Sequence, residues 1–296
     1  MMRDDFGPSR WRWYLIGAVA VVLFVAVYVA GVWTYTGQGA ENAALRGSTQ
    51  VNLDETSAAD QMLAGLALAS IGVGVLLIGL VGLVRGGVRL AAAGLGVVAL
   101  TGLSAEVLKE VLPRPALADA PVYLLTNSFP SGHTAMASGV ACAALVVAPW
   151  RWRTPVMVVA TAWAVAVSAY TVVARWHRLS DVVGAQMLAL LATMVVALVL
   201  LRTGRVRRVV VPPSPMRSLI VGLGVAYVVV AGVFAVWAGR AGLRIVVGDE
   251  SDFALYAAAQ VAASVTTVAT SLVVWWGWRG AEFGRRDRPG WMPVGR

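Results

Sequence analysis

Two histidines, His133 and His177, are the only imidazoles in this 296-residue chain, and both have neighbours suited to oxyanion chemistry. His177 and Asp181 are four residues apart, so on a helix they would share one face. The carboxylate could then hold one ring nitrogen while the other attacks. Before His133, Ser131 can cap a helix that starts near Gly132, and the exposed amides of a helix start bind oxyanions. These spacings predict an oriented nucleophile beside an anion-binding helix start.

A third segment adds fixed positive charge. Lys109 is the only lysine in the chain, and Arg114 lies five positions further on. A guanidinium presents a fork of donors that matches phosphate oxygens, whereas an ammonium acts as a point charge. We expect Glu106, an ionisable residue inside an apolar run, to pair with Lys109. Cations, amides and two histidines in different protonation states predict phosphoryl transfer without a metal, with one histidine attacking and the other protonating the leaving oxygen.

Membrane helices must position these segments. Hydrophobic residues make up 59% of the chain and charged residues 13%, with a mean hydropathy of +0.75, which is outside the range of ordinary soluble domains. A helix needs about 20 mostly uncharged residues to cross the hydrocarbon layer. The sequence therefore predicts an all-α polytopic membrane protein. Its predicted spans are 12–33, 62–84, 89–109, 133–149, 155–174, 182–201, 218–239 and 254–277.

The distribution of charge predicts the orientation. A net charge of +9 would also suit a nucleic-acid partner. With the N-terminus in the cytoplasm, however, 17 of the 24 Lys and Arg residues lie on the cytoplasmic side, which fits the excess of Lys and Arg that cytoplasmic loops carry. We therefore expect no nucleic-acid partner, a multi-pass protein of the plasma membrane, and cytoplasmic termini. The seven cations predicted on the extracytoplasmic side are Arg46, Lys109, Arg114, Arg175, Arg178, Arg240 and Arg244. Because the spans alternate in direction, all three segments face that side.

One membrane domain over 1–296 is the simplest organisation. Prolines 212, 213 and 215 are typical of a linker. The expected parts are a six-helix core at 12–201, a cytoplasmic linker at 202–217, an added pair of helices at 218–277 and a cytoplasmic tail at 278–296. Cys142, inside the fourth span, is expected to be a packing residue. In the predicted loop 34–61, we interpret Asp54, Glu55 and Asp60 as solvated charge. The sequence does not determine the oligomeric state.

The three segments resemble the signature motifs of the type 2 phosphatidic acid phosphatase and haloperoxidase superfamily, in its bacterial integral-membrane lipid phosphatase branch. Pro130-Ser131-Gly132-His133 matches the central motif in full. The segments follow span 3, precede span 4 and separate spans 5 and 6, as in the six-span core of the membrane branch. The resemblance implies that His133 is the general acid, that His177 forms a phosphohistidine and that Asp181 orients it. It also implies that the phosphate is held by Lys109, Arg114, Ser131 and Gly132, with no metal or other cofactor.

Two departures from the family pattern concern the phosphate clamp. The family has six residues between its Lys and its Arg-Pro, whereas four separate Lys109 from Arg114. Five steps along a helix rotate a side chain by about 140°, so we expect the chain to leave the helix by Pro113. The family also places Ser-Arg seven and six residues before the nucleophilic histidine. Those slots hold Tyr170 and Thr171 here.

Arg175 and Arg178 are the candidates to replace the missing arginine, because they flank His177. We include Arg175 among the phosphate-binding residues, whereas for Arg178 a loop-charge role is equally expected. If neither arginine replaces it, the protein would be a catalytically weakened member that binds a lipid or a partner.

The location of the site indicates the class of substrate. A site at the membrane boundary beneath apolar and aromatic residues, namely Val122, Tyr123 and Phe129, would receive a headgroup whose tails stay in the bilayer. Phosphatidate, phosphatidylglycerol phosphate and polyprenyl diphosphates such as undecaprenyl diphosphate all qualify. A transporter is the third alternative, but the paired broken helices typical of that class are not seen in the sequence. The hydrophobicity disfavours a soluble haloperoxidase.

Overall fold

Apolar helices form most of the chain in the computed structural model, which describes residues 10–50, 67–118, 127–244 and 248–283 and positions 57, 60, 61 and 65. Asp54, Glu55, Val122, Tyr123 and the predicted tail beyond residue 283 lie outside these residues. The described helices are α1 (Arg10–Val32), α2 (Tyr35–Gly47), α3 (Leu68–Gly86), α4 (Val88–Val111), α5 (Gly132–Val147), α6 (Arg153–Val173), α7 (Leu179–Arg202), α8 (Pro215–Arg244) and α9 (Asp249–Gly277). The strands are β1 (Val206–Arg208) and β2 (Ala281–Phe283), and a 3₁₀ turn, Ser48–Gln50, follows α2.

Seven of the described helices, all except α2 and α5, are long and apolar enough to cross a membrane, which confirms the predicted all-α polytopic fold. The fourth predicted span, 133–149, is shorter than expected. As α5 it has 16 residues and rises about 24 Å, against a hydrocarbon thickness of about 30 Å. Ala148 is extended in front of Pro149, and this ends the helix. Because 12 of its residues are buried, α5 contacts protein instead of lipid and need not match the bilayer.

The predicted loop 34–61 contains the helix α2. Thr34 caps it by accepting a hydrogen bond from the Gly37 amide at 2.9 Å. Its composition gives no signal for a membrane span, because polar side chains occupy its buried face. Gln38 is one of them, and its amide nitrogen donates to the carbonyls of Val32 and Pro115, both at 2.7 Å. Tertiary contacts of this kind attach α2 to the chain segment that carries Arg114.

The last two helices meet the rest of the protein differently. α9 packs against α2, α6 and α7 as well as α8, and Gln186 on α7 donates to the Thr267 hydroxyl on α9. In contrast, α8 packs on α9 and has only Ala238 and Gly242 buried. α9 is therefore part of the packed bundle, whereas α8 presents most of its surface outward.

A buried arginine joins the elements at the end of the bundle opposite the histidines. There β1, inside the predicted linker, pairs antiparallel with β2, with Val206 opposite Phe283. Arg153 is 3% exposed, and a buried charge without partners is costly. Its guanidinium donates to the carbonyls of Leu145 (3.1 Å), Ala148 (3.2 Å), Trp278 (2.8 Å) and Ala281 (3.0 Å). Arg153 thereby ties the end of α5 to the segment that follows α9.

Replacing Arg153 with alanine should lower the stability of the protein by about 3–5 kcal/mol, because four carbonyl groups lose a charged donor. The neighbouring Arg151 is exposed, so Arg151→Ala is the matched control and should change stability by no more than about 0.5 kcal/mol. Thermal unfolding of the purified protein in detergent measures both. Equal melting temperatures for the two variants would contradict this account of Arg153.

Candidate active site

Asp181, in the first turn of α7, is the residue at which the three predicted segments meet. Its side chain is fully buried. One oxygen, Oδ2, accepts hydrogen bonds from the Ser128 hydroxyl at 2.6 Å and the Arg178 amide at 2.9 Å. The other, Oδ1, accepts from Arg114 at 3.2 Å. The backbone carbonyl of Asp181 accepts from the Ser131 amide at 3.0 Å, so a single residue contacts all the segments.

His177 lies beside Asp181, but for a different reason from the one predicted. The expectation that both residues share one helix face is wrong, because His177 precedes α7 and Arg178 is the N-cap of that helix. The carboxylate caps the helix start, and this brings Oδ2 to 3.5 Å from His177 Nδ1, the long limit of a hydrogen bond. Nδ1 has no closer partner among the described residues. Asp181 can therefore hold Nδ1, which leaves Nε2 as the nitrogen that can attack.

The start of α5 has the features predicted for it from the sequence. The predicted cap is confirmed, since the Ser131 hydroxyl accepts a hydrogen bond from the Thr134 amide at 3.3 Å. Ser131 is fully buried and its oxygen is used in this cap. The amides of Gly132 and His133 make no hydrogen bond within the described ranges. These two amides, with the positive end of the helix dipole, are the donors that the segment offers to an oxyanion.

Lys109 lies over this helix start. A Cβ atom on Gly132 would be 2.8 Å from Glu106 Oε1 and 3.5 Å from Lys109 Nζ, so glycine permits the approach of both side chains. The predicted pairing of Glu106 with Lys109 is confirmed at 2.9 Å. His133, half-buried, packs edge-on against Trp176 with 5.3 Å between ring centroids. Because Trp176 directly precedes His177, this contact brings the two histidine-bearing segments together.

Arg114 is enclosed by carboxylates. Its Nη1 atom donates to Asp181, and its Nη2 atom donates to Glu41 Oε2 at 3.1 Å. Only 4% of the Arg114 side chain is exposed. Its guanidinium therefore holds Asp181 and Glu41. The chain does leave helix α4 before Pro113, as predicted, because α4 ends at Val111.

Glu41, on α2, was not identified by sequence reasoning. Besides Arg114 it contacts Ser180, whose amide donates to Glu41 Oε1 at 2.8 Å. Burial raises the pKa of Glu41 to about 7, and the negative charge of Asp181 acts in the same direction, against the effects of Arg114 and Ser180. No local pattern marks this residue, since α2 is short and its partners are distant in sequence.

Arg178 is a structural link between α2 and the site. Its side chain is buried, and its Nε and Nη2 atoms donate to Asn42 Oδ1 at 3.2 and 3.0 Å. Its Nη1 atom lies 3.4 Å from the Ser128 hydroxyl. These contacts fix the side chain behind Asp181, so Arg178 is not placed as a free phosphate ligand.

Arg175 differs from Arg178 in its backbone conformation and in its side-chain contacts. It lies two residues after the end of α6 with φ of 61°, in the left-handed region that glycine usually occupies. The Trp176 amide donates to the Thr171 carbonyl at 3.0 Å and the Arg175 amide to Val172 at 3.1 Å, which is the Schellman pattern. Its guanidinium is partly buried and makes no hydrogen bond or ion pair in the part of the chain that the structure describes. Arg175 is therefore the cation available to an anion.

Two other predicted residues lie away from the reacting groups. The hydroxyl of Thr171, in the slot of the family arginine, is buried and donates to the Ser168 carbonyl at 2.8 Å. Phe129 was expected to cover the site, but this is wrong. It is fully buried beneath the site and packs on Phe24 and Tyr28, with ring centroids 5.3 and 5.1 Å away.

The groups brought together are the His177 imidazole beside Asp181, the His133 imidazole at a helix start, two amides without a hydrogen bond among the described residues, and Lys109. Among the described residues, no group of three or more His, Cys, Asp and Glu side chains could hold a metal ion.

A family model of the PAP2 superfamily matches residues 88–205, from the start of α4 to just beyond α7. Residues 88–205 belong to the PAP2 superfamily. This supports the predicted superfamily, and the match indicates a phosphatase-type enzyme.

The PAP2 match contains all three segments, whereas α1, α2, α3, α8 and α9 lie outside it. Glu41 and Asn42, which contact Arg114 and Arg178, therefore lie outside the matched range. Neither a curated protein nor a solved structure matches the chain significantly.

The variant Arg175→Gly tests the role of Arg175 in anion binding separately from its role in stability. Glycine suits the left-handed position, so the variant should be as stable as the wild type or up to about 1 kcal/mol more stable. Its affinity for orthophosphate should fall about tenfold or more, because a charge-assisted contact is lost. Arg178→Ala should instead lose about 2–4 kcal/mol of stability. Calorimetric titration and thermal unfolding measure the two effects, and unchanged orthophosphate affinity in Arg175→Gly would exclude Arg175 from the clamp.

Proposed function

We propose that this protein is an integral-membrane phosphatase that hydrolyses a lipid phosphate monoester or diphosphate through a phosphohistidine, without a metal. The observation that supports the proposal best is the contact of three segments at Asp181, which receives Arg114 from the first and Ser131 from the second. His177 comes from the third. The PAP2 match over the same residues supports it independently.

In the first step, Nε2 of His177 attacks the phosphorus atom while Asp181 holds Nδ1. An N–P bond forms and the bond from phosphorus to the lipid oxygen breaks. His133 must be protonated for this step, against burial and the charges of His177 and Lys109, which lower its pKa. It donates its proton to that oxygen, so the lipid leaves as an alcohol or, from a diphosphate, as a monophosphate. Lys109, Arg175 and the amides of Gly132 and His133 stabilise the charge on the equatorial oxygens.

In the second step, water attacks the phosphohistidine from the side that the lipid has left. His133 is now neutral and accepts a proton from the water, which restores its initial state. The N–P bond breaks, orthophosphate departs, and His177 returns to the neutral form. Both proton transfers in this scheme use His133, and His177 only forms and breaks the N–P bond.

The substrate and orientation are part of the same proposal. Positive charge is concentrated toward the end of the bundle opposite the histidines, so the site faces the extracytoplasmic side of the plasma membrane. A headgroup can reach it there while the tails remain in the bilayer. Phosphatidate, phosphatidylglycerol phosphate and polyprenyl diphosphates fit this arrangement equally. The core is proposed to span 12–201, with 218–277 as an added pair of helices.

A catalytically weakened member that binds lipid is the second candidate, favoured by one observation. Thr171 stands where the family has an arginine, and its hydroxyl is buried in its own helix. The available guanidinium of Arg175 opposes this candidate.

Phosphate release from a panel of lipid phosphates, by the purified protein in detergent with a chelator present, separates the two candidates. We expect release from at least one lipid, and a loss in kcat/KM of about 10³-fold or more in His177→Ala. Arg240→Ala, which removes an exposed cation on α8, is the control and should resemble the wild type. No release from any lipid would favour the binding protein, and release unaffected by His177→Ala would exclude the phosphohistidine.

A further inference from the structure

Two nearly buried carboxylates share one guanidinium at the back of the site. Arg114 donates to Asp181 at 3.2 Å and to Glu41 at 3.1 Å. The exposed fractions of the two carboxylate side chains are 0% and 12%. Burial disfavours the ionised form of a carboxyl group, and the two negative charges oppose each other, so one of the two is expected to bind a proton more readily than a free carboxylic acid does, even with Arg178 nearby.

The hydrogen bonds indicate which carboxylate takes that proton. Asp181 accepts from a hydroxyl and an amide as well as from Arg114, and it faces His177. Among the described residues, the donors to Glu41 are Arg114 and Ser180. Because more donors stabilise the charged form of Asp181, the proton is held by Glu41.

The elements packed around Glu41 bring few other charges. α8 and α9 present apolar residues here, among them Val236 and Leu255, and α1 presents the backbone at Gly31. The charged groups that face Glu41 are Arg114, Asp181 and Arg178, of which Arg178 is bonded to Asn42. The charge of Glu41 is therefore set by burial, by Asp181 and by Arg114, and an anion in the site would act on it as well.

A phosphate dianion would compete with Glu41 for Arg114. The guanidinium fork suits phosphate oxygens as well as carboxylates. The backbone around Arg114 is held in place, since the Tyr28 hydroxyl donates to the Pro113 carbonyl at 2.6 Å and Gln38 donates to Pro115 at 2.7 Å. Only the Arg114 side chain then needs to turn toward the phosphate.

We propose that Glu41 is a proton-coupled positioning residue, which holds Arg114 away from the phosphate when ionised and releases it to the phosphate when protonated. The proposal rests on the proposed function, because it requires a phosphate site beside His177. Phosphate binding then draws one proton onto Glu41, and by linkage protonation of Glu41 strengthens phosphate binding.

The direction of the pH effect follows from the raised pKa of Glu41. Below this pKa Glu41 is neutral and Arg114 is available, so anion binding is strongest. Above it the ionised carboxylate retains Arg114 and binding weakens, by about tenfold for each unit of pH. A group that served only to support the fold would not change the pH dependence of anion binding.

Sulfate is the probe that tests this, because its charge is constant between about pH 6 and pH 8. Calorimetric titration of the detergent-purified full chain measures its affinity, and titration in buffers of different ionisation enthalpy measures proton uptake. Near pH 6, the sulfate affinity of Glu41→Gln should equal that of the wild type. Near pH 8, the variant should bind sulfate about tenfold more tightly than the wild type does. It should also take up about one proton fewer. Glu110→Gln, an exposed carboxylate at the end of α4, is the control and should follow the wild type.

Equal affinities of wild type and Glu41→Gln near pH 8, or equal proton uptake, would overturn the proposal for Glu41 and leave the proposed function intact. No sulfate binding by the folded wild type would overturn the phosphate site and this proposal together. If Glu41→Gln does not fold, Glu41→Met provides an uncharged side chain of similar length, with the same expected result.

Discussion

The buried carboxylate of Asp181 is the constraint on which the site depends. A negative charge removed from water must be compensated by donors with good geometry. Ser128, Arg114 and the Arg178 amide meet this requirement, and they come from separate parts of the chain. Satisfying one carboxylate thereby fixes the start of α7 relative to α5 and to the segment after α4. The orientation of His177 is a consequence of the same arrangement.

Residues outside the PAP2 match hold two of the residues that contact Asp181. Asn42 on α2 holds Arg178, and Glu41 holds Arg114. In turn, α2 is attached to α9, where Arg46 pairs with Asp252 at 2.8 Å. The position of α9 in the packed bundle thus supports α2, and α2 supports the catalytic face. This chain of contacts connects the C-terminal helices to the site without requiring that they touch substrate.

The cations near the histidines differ in how strongly they are neutralised. Lys109 pairs with a largely exposed Glu106, an interaction worth little in water. Arg114 is bound on both sides by nearly buried carboxylates, whereas Arg175 has no partner in the described chain. At the proposed phosphate site, an anion would therefore contact Arg175 and Lys109 at low cost, and would reach Arg114 only by competing with a carboxylate. The contacts within the protein therefore distinguish these three cations.

The sequence by itself determined the membrane helices, the cap at Ser131, the pairing of Glu106 with Lys109 and the family. Each of these depends on composition or on residues a few positions apart, which local patterns encode. Only the tertiary structure decided the roles of Arg114, Arg175 and Arg178, the burial of Phe129 and the presence of Glu41 behind Asp181. These depend on contacts between residues far apart in sequence, such as Glu41 with Ser180, 139 positions away. Whether a given arginine is buried against a carboxylate or left available is set by that packing, and its spacing from a histidine cannot reveal it.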